Sequence, residues 1–207
     1  GGSALVVRSD SGIKSAADLR GKKIASPQLG NTQDVQLRAY LADNGFKITQ
    51  TGGDAHILPT QNADMLALFE RKELDAAWTV EPWVTRLELE AGAQILVDDR
   101  ETNVTLLASS AAFAKENAAL AKKLVEAHTE LTEWIKSNAA EARGLIKAEL
   151  TELMKSEPKD AVIDKALSRI VLTNEISKPS LDKMVSSAQK AGFLKDIPAL
   201  HLLFPAL

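Results

Sequence analysis

The stretch that decides the fold is KKIASPQLGNTQDVQLRAYLADNG, residues 22–45. Its first residues, KKIASP, form a short apolar run that is typical of a β-strand, and the residues from Asn31 onward place apolar side chains at helical spacing. Between them, LGNTQD (29–34) contains a glycine and small polar residues of the kind found at helix starts. Asn44-Gly45 gives a helix stop signal. The stretch therefore predicts a strand, a tight loop and a helix.

Short apolar runs and amphipathic segments alternate through the first half of the chain. Strands are predicted over 4–8, 22–27, 55–60, 75–80, 93–99 and 103–109. Helices are predicted over 15–20, 31–45, 63–74 and 82–92. Alternating elements with short connections favour βαβ units. We therefore expect an α/β fold with a mostly parallel sheet flanked by helices.

The second half of the chain has a helical pattern. Helices are predicted over 111–137, 139–154, 158–171 and 178–191. An apolar stripe on the first of these is formed by Leu120, Leu124, Ala127, Leu131 and Ile135. The apolar tail PALHLLFPAL (198–207) is expected to dock on a core. The change of pattern places a domain boundary near residue 100.

Composition excludes several classes of function. The chain has 207 residues and a net charge of −3, so no basic field favours nucleic acid as a partner. It has no cysteine, which excludes disulfides, thiol catalysis and cysteine-ligated metals. His56, His128 and His201 do not have the spacing of metal ligands. We therefore expect no catalytic residues, no metal and no cofactor, and we predict that the protein is not an enzyme.

The segment LGNTQD is the first candidate ligand site. The first amides of an α-helix have no intrahelical partner, and the helix dipole adds partial positive charge there. Gly30 would let a ligand approach the backbone closely, and Thr32 and Gln33 can add side-chain donors. This combination is typical of an anion site that needs no Lys or Arg. The alternative is ordinary helix capping by Asn31 or Thr32, and the residues alone leave it open.

The second candidate is AAWTVEPWVTR, residues 76–86. Trp78 lies inside a predicted strand, so we expect it in the core. Trp83 follows Pro82 in the first turn of the next helix, where it could line a pocket at the same sheet edge as LGNTQD. Glu81 could accept a hydrogen bond from an amine or could fix the loop by bonding backbone amides. The alternative for Glu81-Pro82 is a simple helix-entry turn.

Two long segments resemble a known family. They are ALVVRSDSGIKSAADLRGKKIASPQLGNTQDVQLRAYLADNG (4–45) and LALFERKELDAAWTVEPWVTRLELEAGAQILVDDRE (66–101). The family is that of ABC transporter substrate-binding proteins of the nitrate/sulfonate/bicarbonate (aliphatic sulfonate) group. The resemblance continues through TEWIKSNAAEA (132–142) and AGFLKDIP (191–198), and it is most specific in LRGKKIASPQLGNTQD and LDAAWTVEPW.

The resemblance implies a type II periplasmic-binding fold with two lobes. Residues 1–8 would be a crossover strand from lobe 1, residues 9–100 a complete lobe 2, and residues 101–207 the return crossover with the C-terminal helical part of lobe 1. Members of the family begin with two further βα units of lobe 1. We therefore expect the first lobe to be incomplete in this chain, with apolar faces that require a missing N-terminal fragment or self-association.

The resemblance also implies a function. It is that of the extracytoplasmic solute-binding component of an ABC importer, periplasmic or lipid-anchored, which captures a small anionic solute and delivers it to a membrane permease. The residues that would face the ligand are Gln28, Leu29, Gly30, Asn31, Thr32, Gln33, Glu81, Pro82 and Trp83. Two alternatives share the fold. One is the sensor domain of a LysR-type regulator, and the other is an enzyme like the thiamin-pyrimidine synthases, whose Cys-rich motif is absent here.

Overall fold

A computed structural model describes residues 1–197 of the chain. Its contacts divide these residues into two units, which we call the sheet unit and the helical unit. The sheet unit consists of Gly1–Val104, Asp160–Val171 and Ser177–Ile197. The helical unit consists of Thr105–Lys159 and Leu172–Ile176. The expected docking of the apolar tail 198–207 lies outside the described residues.

The bounds of the elements follow the sequence pattern closely in the first half of the chain. The strands are β1 (Ser3–Val7), β2 (Lys23–Ser26), β3 (Ile48–Thr49), β4 (Gly52–Gly53), β5 (His56–Pro59), β6 (Ala76–Val80) and β7 (Gln94–Asp99). The helices are α1 (Thr32–Asp43), α2 (Asn62–Glu70), α3 (Trp83–Ala91), α4 (Ala111–Glu116), α5 (Ala118–Ser137), α6 (Ala139–Met154), α7 (Asp160–Arg169) and α8 (Lys178–Lys190). A short 3-10 helix at Ala16–Leu19 replaces the predicted helix 15–20. The two-stranded β3–β4 hairpin was not predicted.

The main sheet has five strands in the order β5-β2-β6-β1-β7. Strand β2 pairs in parallel with both β5 and β6, whereas β1 pairs antiparallel with both β6 and β7. The sheet is therefore mixed. Strands β5, β2, β6 and β7 run in one direction and β1 alone runs in the other, so the prediction of a mostly parallel sheet is confirmed. Strand β1 is an integral strand of the sheet unit, and its expected role as a crossover from lobe 1 remains a prediction.

Alternation along β1 builds a core on each face of the sheet. Leu5 and Val7 point to the face that α1 covers, where Leu37, Leu41 and Trp78 are also buried. Ala4, Val6, Met65, Phe69 and Leu87 are buried on the opposite face, under α2 and α3. The sheet unit therefore has helices on both faces, which confirms the predicted α/β class.

Helices α7 and α8 pack within the sheet unit, although the sequence pattern grouped them with the other helices that follow residue 100. Val162, Ile163 and Ala166 of α7 are buried. Lys190, the last residue of α8, forms an ion pair with Asp43 of α1. The division of the chain into lobes remains a prediction.

Two expectations about the second half were wrong. Residues 103–109 form no strand, because no neighbouring strand pairs with them in the described chain. The predicted helix 111–137 is broken at Asn117, which has non-helical torsions (φ −124°, ψ 41°). Its backbone N–H and Nδ2 both donate to the Phe113 carbonyl, at 2.9 and 3.4 Å. Asparagine competes in this way with the helix hydrogen-bond ladder.

Truncation of Phe69 tests the core that α2 builds. Phe69 is 1% exposed. We expect Phe69→Ala to lower the free energy of unfolding by about 3–5 kcal/mol, since it removes buried surface and leaves a cavity. The measurement is urea unfolding followed by tryptophan fluorescence, because Trp78 is buried in the same unit. Leu89→Ala is the control, since Leu89 is 49% exposed and the change should cost no more than about 0.5 kcal/mol. Equal effects of the two changes would contradict this description of the core.

Candidate ligand site

The two sequence segments predicted to hold a ligand lie at one edge of the sheet. Strands β2, β5 and β6 are parallel, so their carboxyl ends meet at this edge, which we call the carboxyl edge. Helices α1, α2 and α3 each begin just after one of these strands. Residues 28–33 follow β2 and residues 81–83 follow β6, its direct neighbour. Ligands of open α/β sheets commonly bind at such an edge.

A buried carboxylate organises the loop between β2 and α1. Asp34 is 0% exposed, and its Oδ1 accepts a hydrogen bond from Ser26 Oγ at 2.7 Å. Its Oδ2 accepts from the Gly30 amide at 2.9 Å and from Arg38 Nε at 2.8 Å. The Asp34 amide in turn donates to the side chain of Asn31, the N-cap residue, at 2.9 Å. The helix capping that the sequence left as an alternative is therefore present at Asn31.

Capping provides hydrogen-bond acceptors for only some of the backbone amides at the start of α1. The Asn31 amide donates to the Gln28 carbonyl at 3.2 Å, so the amides of Gly30, Asn31 and Asp34 all have acceptors in the protein. Thr32 and Gln33 are the first two residues of α1, and no acceptor for their amides is recorded within residues 1–197. The anion site of the sequence analysis is therefore reduced to two amides at the positive end of the helix dipole.

The remaining loop side chains differ in exposure. Gln28 and Leu29 are exposed, Asn31 and Thr32 are half-buried, and Gln33 is 7% exposed. Gly30 has a φ of +75°, and a Cβ built there would lie 3.3 Å from Cε1 of Phe193. A larger residue at position 30 would therefore strain the backbone and also collide with the protein itself.

Phe193 reaches the loop from the segment after α8. Its ring lies beside Gly30, and the Arg38 guanidinium carbon is 5.9 Å from the ring centroid. The neighbouring Gly192 carbonyl accepts a hydrogen bond from Gln50 Nε2 at 2.8 Å, which helps to hold this segment in place. One side of the loop is therefore lined by an aromatic residue from late in the chain.

The second candidate segment begins with a buried ion pair. The Glu81 side chain is 1% exposed, and its Oε1 lies 2.7 Å from Nε of Arg169, the last residue of α7. The Nε–H is not directed at that oxygen, so this contact is an ion pair without a hydrogen bond. The other oxygen, Oε2, accepts from the Thr85 amide at 3.1 Å. Arg169 Nη2 also donates to Asp98 Oδ1 at 2.8 Å.

These contacts define what Glu81 does in the sheet unit. Burial raises the pKa of Glu81, although the Thr85 hydrogen bonds and the charge of Arg169 oppose the shift and Glu88 adds to it. Its oxygens are engaged by the helix start and by Arg169. The interpretation that Glu81 fixes the loop is therefore the one that the geometry favours, and a direct contact of Glu81 with a ligand remains a prediction.

The two tryptophans have different environments. Trp78 is 3% exposed, and its Nε1 donates to Ser3 Oγ at 2.8 Å, so its predicted place in the core is confirmed. Trp83 follows Pro82, which is joined to Glu81 by a cis peptide bond. The Trp83 ring is half-buried, and the Arg86 guanidinium lies 5.3 Å from its centroid. Trp83 is therefore available at the carboxyl edge, and its contact with a ligand remains a prediction.

Arg169 and Phe193 were missed by sequence reasoning. Each lies far along the chain from the loop that it contacts, in a helical region with no motif around it. Their positions depend on how α7 and α8 pack on the sheet unit. No local signal in the sequence could have identified either residue.

The fold and the geometry of this edge can be compared with known proteins. The model of the NMT1-like family matches residues 4–149. The chain belongs to the NMT1-like family. A curated protein of Escherichia coli (strain K12) that is named for aliphatic sulfonate binding is 27% identical over 147 residues, which are 69% of this chain. This chain covers 44% of that protein's length.

Solved structures show the same fold. The alkanesulfonate-binding protein SsuA from Xanthomonas axonopodis pv. citri, bound to MOPS, matches with a TM-score of 0.71 and 20% identity, over 94% of this chain and 66% of its own. The desulfurization enzyme DSZB matches with a TM-score of 0.60 and 16% identity, over 98% of this chain and 73% of its own. At these identities the likeness concerns the fold, which both a binding protein and an enzyme share.

Residues 1–197 contain no group of three or more His, Asp or Glu residues arranged to hold a metal ion. No helix in this range combines the length and the apolar character needed to cross a bilayer.

Removal of Arg169 tests the ion pair at the start of α3. We expect Arg169→Met to lower the free energy of unfolding by about 3–5 kcal/mol at about pH 8, because it leaves the Glu81 carboxylate buried without a counter-charge. Burial raises the pKa of Glu81 in the folded state. The folded variant therefore binds more protons than the unfolded one, and its stability should recover as the pH falls towards about 5. Urea unfolding across this range measures the effect.

Two controls distinguish the ion pair from a general loss of packing. Arg100→Met removes an exposed partner of the same Asp98 and should have little effect at any pH. The double change Glu81→Gln with Arg169→Met should remove most of the pH dependence. A loss of stability in Arg169→Met that is the same at both pH values would contradict the proposed role of the pair.

Proposed function

We propose that this chain is the solute-binding component of an ABC importer, and that it binds a small anion of the sulfonate, nitrate or bicarbonate class. The observation that carries the proposal is the pair of amides of Thr32 and Gln33 at the carboxyl edge, for which residues 1–197 supply no acceptor. The membership of the NMT1-like family and the likeness to sulfonate-binding proteins support it.

The helix start supplies the attraction for an anion. Two amide N–H groups point out of the first turn of α1, where the helix dipole adds partial positive charge. Enclosure of the ligand would remove water from these amides, and hydrogen bonds to charged oxygen strengthen as the local dielectric falls. Closure of two lobes, which is the mechanism implied by the family resemblance, would provide that enclosure.

The charged side chains around the site favour recognition by the main chain. Arg38 is paired with Asp34, and Arg169 is paired with Glu81 and Asp98. Neither guanidinium group is left to hold a ligand by itself. Trp83 adds an aromatic surface with one N–H donor at the same edge, which would suit the organic part of a sulfonate.

The partner and the location are part of the same proposal. A solute-binding component of an importer works outside the cytoplasm and delivers its ligand to a membrane permease. An enzymatic role is the second candidate, since DSZB shares the fold. The described residues offer amides, an aromatic side chain and paired charges at the carboxyl edge, an arrangement that favours binding over turnover.

Replacement of Thr32 by proline tests the amide site directly. Thr32 is the first residue of α1, where proline fits the helix, and Asn31 has the extended torsions (φ −74°, ψ 175°) that a residue before proline prefers. Thr32→Pro therefore deletes the amide donor with little change of fold. We expect it to weaken binding of ethanesulfonate and nitrate by about 10- to 100-fold, which corresponds to one charge-assisted hydrogen bond. Calorimetry in a buffer without sulfonates measures this.

Thr32→Ala is the matched control, because it removes the hydroxyl group and keeps the amide. We expect Thr32→Ala to bind the ligand more tightly than Thr32→Pro does, with an affinity close to that of the unaltered chain. Equal affinity of the proline variant and the unaltered chain would refute the amide site. Position 30 is a poorer test, because a side chain there meets Phe193.

Fluorescence tests whether Trp83 faces the ligand. Trp78 is buried and hydrogen-bonded to Ser3, so its emission should change little when a ligand binds. We expect ethanesulfonate to change the emission of the unaltered chain and to leave Trp83→Phe nearly unchanged. A full signal from Trp83→Phe would show that another tryptophan reports the binding.

A further inference from the structure

Asp99, the last residue of β7, lies at the carboxyl edge of the sheet. Because β1 runs antiparallel to both β6 and β7, those two strands end at the same edge, where Ser3 of β1 is opposite Val80 and Asp99. Asp99 is half-buried. Its carboxylate therefore belongs to the same row of strand ends as the two loops of the candidate ligand site.

A glutamine of α1 connects this carboxylate to the helix that carries the amide site. Gln36 is 8% exposed, and its Nε2 donates to Asp99 Oδ2. Its Oε1 accepts from Ser3 Oγ at 3.3 Å. Gln36 follows Thr32 by four residues, so the two lie on the same side of α1, about 6 Å apart along the helix axis. Thr32 is therefore on the side of α1 that faces the end of β7.

The direction of side chains on a helix brings the Asp99 carboxylate towards the amides. Side chains of an α-helix lean towards its N-terminus, so the Gln36 carboxamide reaches towards the turn that contains Thr32 and Gln33. With the length of the glutamine side chain included, the Asp99 carboxylate lies within about 10 Å of the first amides of α1. At that distance, and at an effective dielectric constant of about 20, repulsion from one unit charge weakens binding roughly tenfold.

Neutral donors occupy both oxygens of Asp99. Oδ2 accepts from Gln36 Nε2 and from Thr102 Oγ1, the latter at 2.7 Å. Oδ1 accepts from the amides of Thr102 at 3.2 Å and Glu101 at 3.3 Å. A carboxylate has about four acceptor positions, so these four donors leave none for a lysine or an arginine from elsewhere. Within residues 1–197, no lysine, arginine or histidine forms an ion pair with Asp99.

Other carboxylates at this edge have arginine partners, and their charges are balanced. The carboxylates are Asp34, Glu81 and Asp98, and the arginines are Arg38, Arg100 and Arg169. Asp99 differs from them because its hydrogen bonds fix the position of the carboxylate without supplying a positive charge. A bound anion would therefore be exposed to its repulsion.

We propose that Asp99 makes the site selective for ligands that carry a single negative charge. This inference rests on the proposed function, and it specifies the substrate class as monoanions. Asp99 repels a ligand with two negative charges about twice as strongly as a ligand with one. The amides of Thr32 and Gln33 are neutral donors, so they add no ionic charge that offsets this difference. The site thereby distinguishes ligands of the same shape by their number of charges.

Two ligands of the same shape test the proposal. Ethanesulfonate carries one negative charge, whereas ethylphosphonate carries two at about pH 9.5. We expect the unaltered chain to bind ethanesulfonate at least about tenfold more tightly than ethylphosphonate. Calorimetry in ethanolamine buffer, with chloride as the counter-ion, avoids competing oxyanions. The Gly1 amino group is neutral at this pH and does not offset Asp99, because burial lowers its pKa against the opposing charge of Asp99.

Removal of the Asp99 charge should reduce the discrimination. We expect Asp99→Asn to lower the ratio of the two affinities about tenfold, mainly because ethylphosphonate binds more tightly. The double change Asp99→Asn with Gln36→Glu should restore most of the ratio, since it returns one negative charge to the same place and keeps a hydrogen bond between the two side chains.

Glu101→Gln is the matched control for the loss of one charge. It removes an exposed carboxylate two residues later and keeps the backbone amide that donates to Asp99. Water and salt screen an exposed charge, so the ratio of the two affinities should stay within about twofold of that of the unaltered chain. Far-UV circular dichroism verifies that each variant keeps its helices.

The outcomes separate this inference from the proposed function. Binding of neither ethanesulfonate nor nitrate to the unaltered chain would refute the proposed function, and the inference with it. If ethanesulfonate binds but Asp99→Asn leaves the ratio unchanged, or weakens both ligands equally, the role of Asp99 is refuted and the proposed function stands. Equal affinity of the unaltered chain for the two ligands would overturn the inference whether or not the variants fold.

Discussion

The buried carboxylate of Asp34 is the interaction on which the candidate site depends. It receives hydrogen bonds from Ser26, at the end of β2, from the Gly30 amide and from Arg38. One buried charge thereby joins the strand, the loop and the helix. A buried carboxylate is tolerated only when such donors remain in place. Asp34 therefore helps to hold the start of α1 against the end of β2.

The sequence could predict the part of this site that is local. A strand, a glycine, an N-cap asparagine and an amphipathic helix are encoded within a few residues of one another, and the structure has them where residues 22–45 predict them. Trp78 was placed in the core because it lies within an apolar strand. What the residues did not settle was that the Asn31 amide donates to the Gln28 carbonyl and the Asp34 amide to the Asn31 side chain, so that two amides of the helix start lack an acceptor within residues 1–197 rather than three or four.

The parts that could not be predicted depend on contacts between distant residues. The segment 103–109 has the composition of a strand, but a strand exists only if another strand pairs with it. Asn117 and Asn138 show the same limit for helices. Both have nearly identical non-helical torsions and donate to the carbonyl four residues earlier, yet only the break at Asn138 was predicted. Arg169 and Phe193 reach the site only through the packing of α7 and α8.

The number of open donors determines what else the proposed ligand would require at this edge. A sulfonate or a nitrate has three oxygens, whereas the start of α1 offers the amides of Thr32 and Gln33. Arg38 and Arg169 already share their charge with carboxylates. At least one oxygen of the proposed ligand would therefore be bound by a side chain or by water. The Trp83 Nε1–H, for which no acceptor is recorded within residues 1–197, is the donor in the neighbouring segment that can meet this need. Selectivity among anions would then arise from the distance between the loops that follow β2 and β6. Net positive charge would contribute little to it, because both arginines are paired.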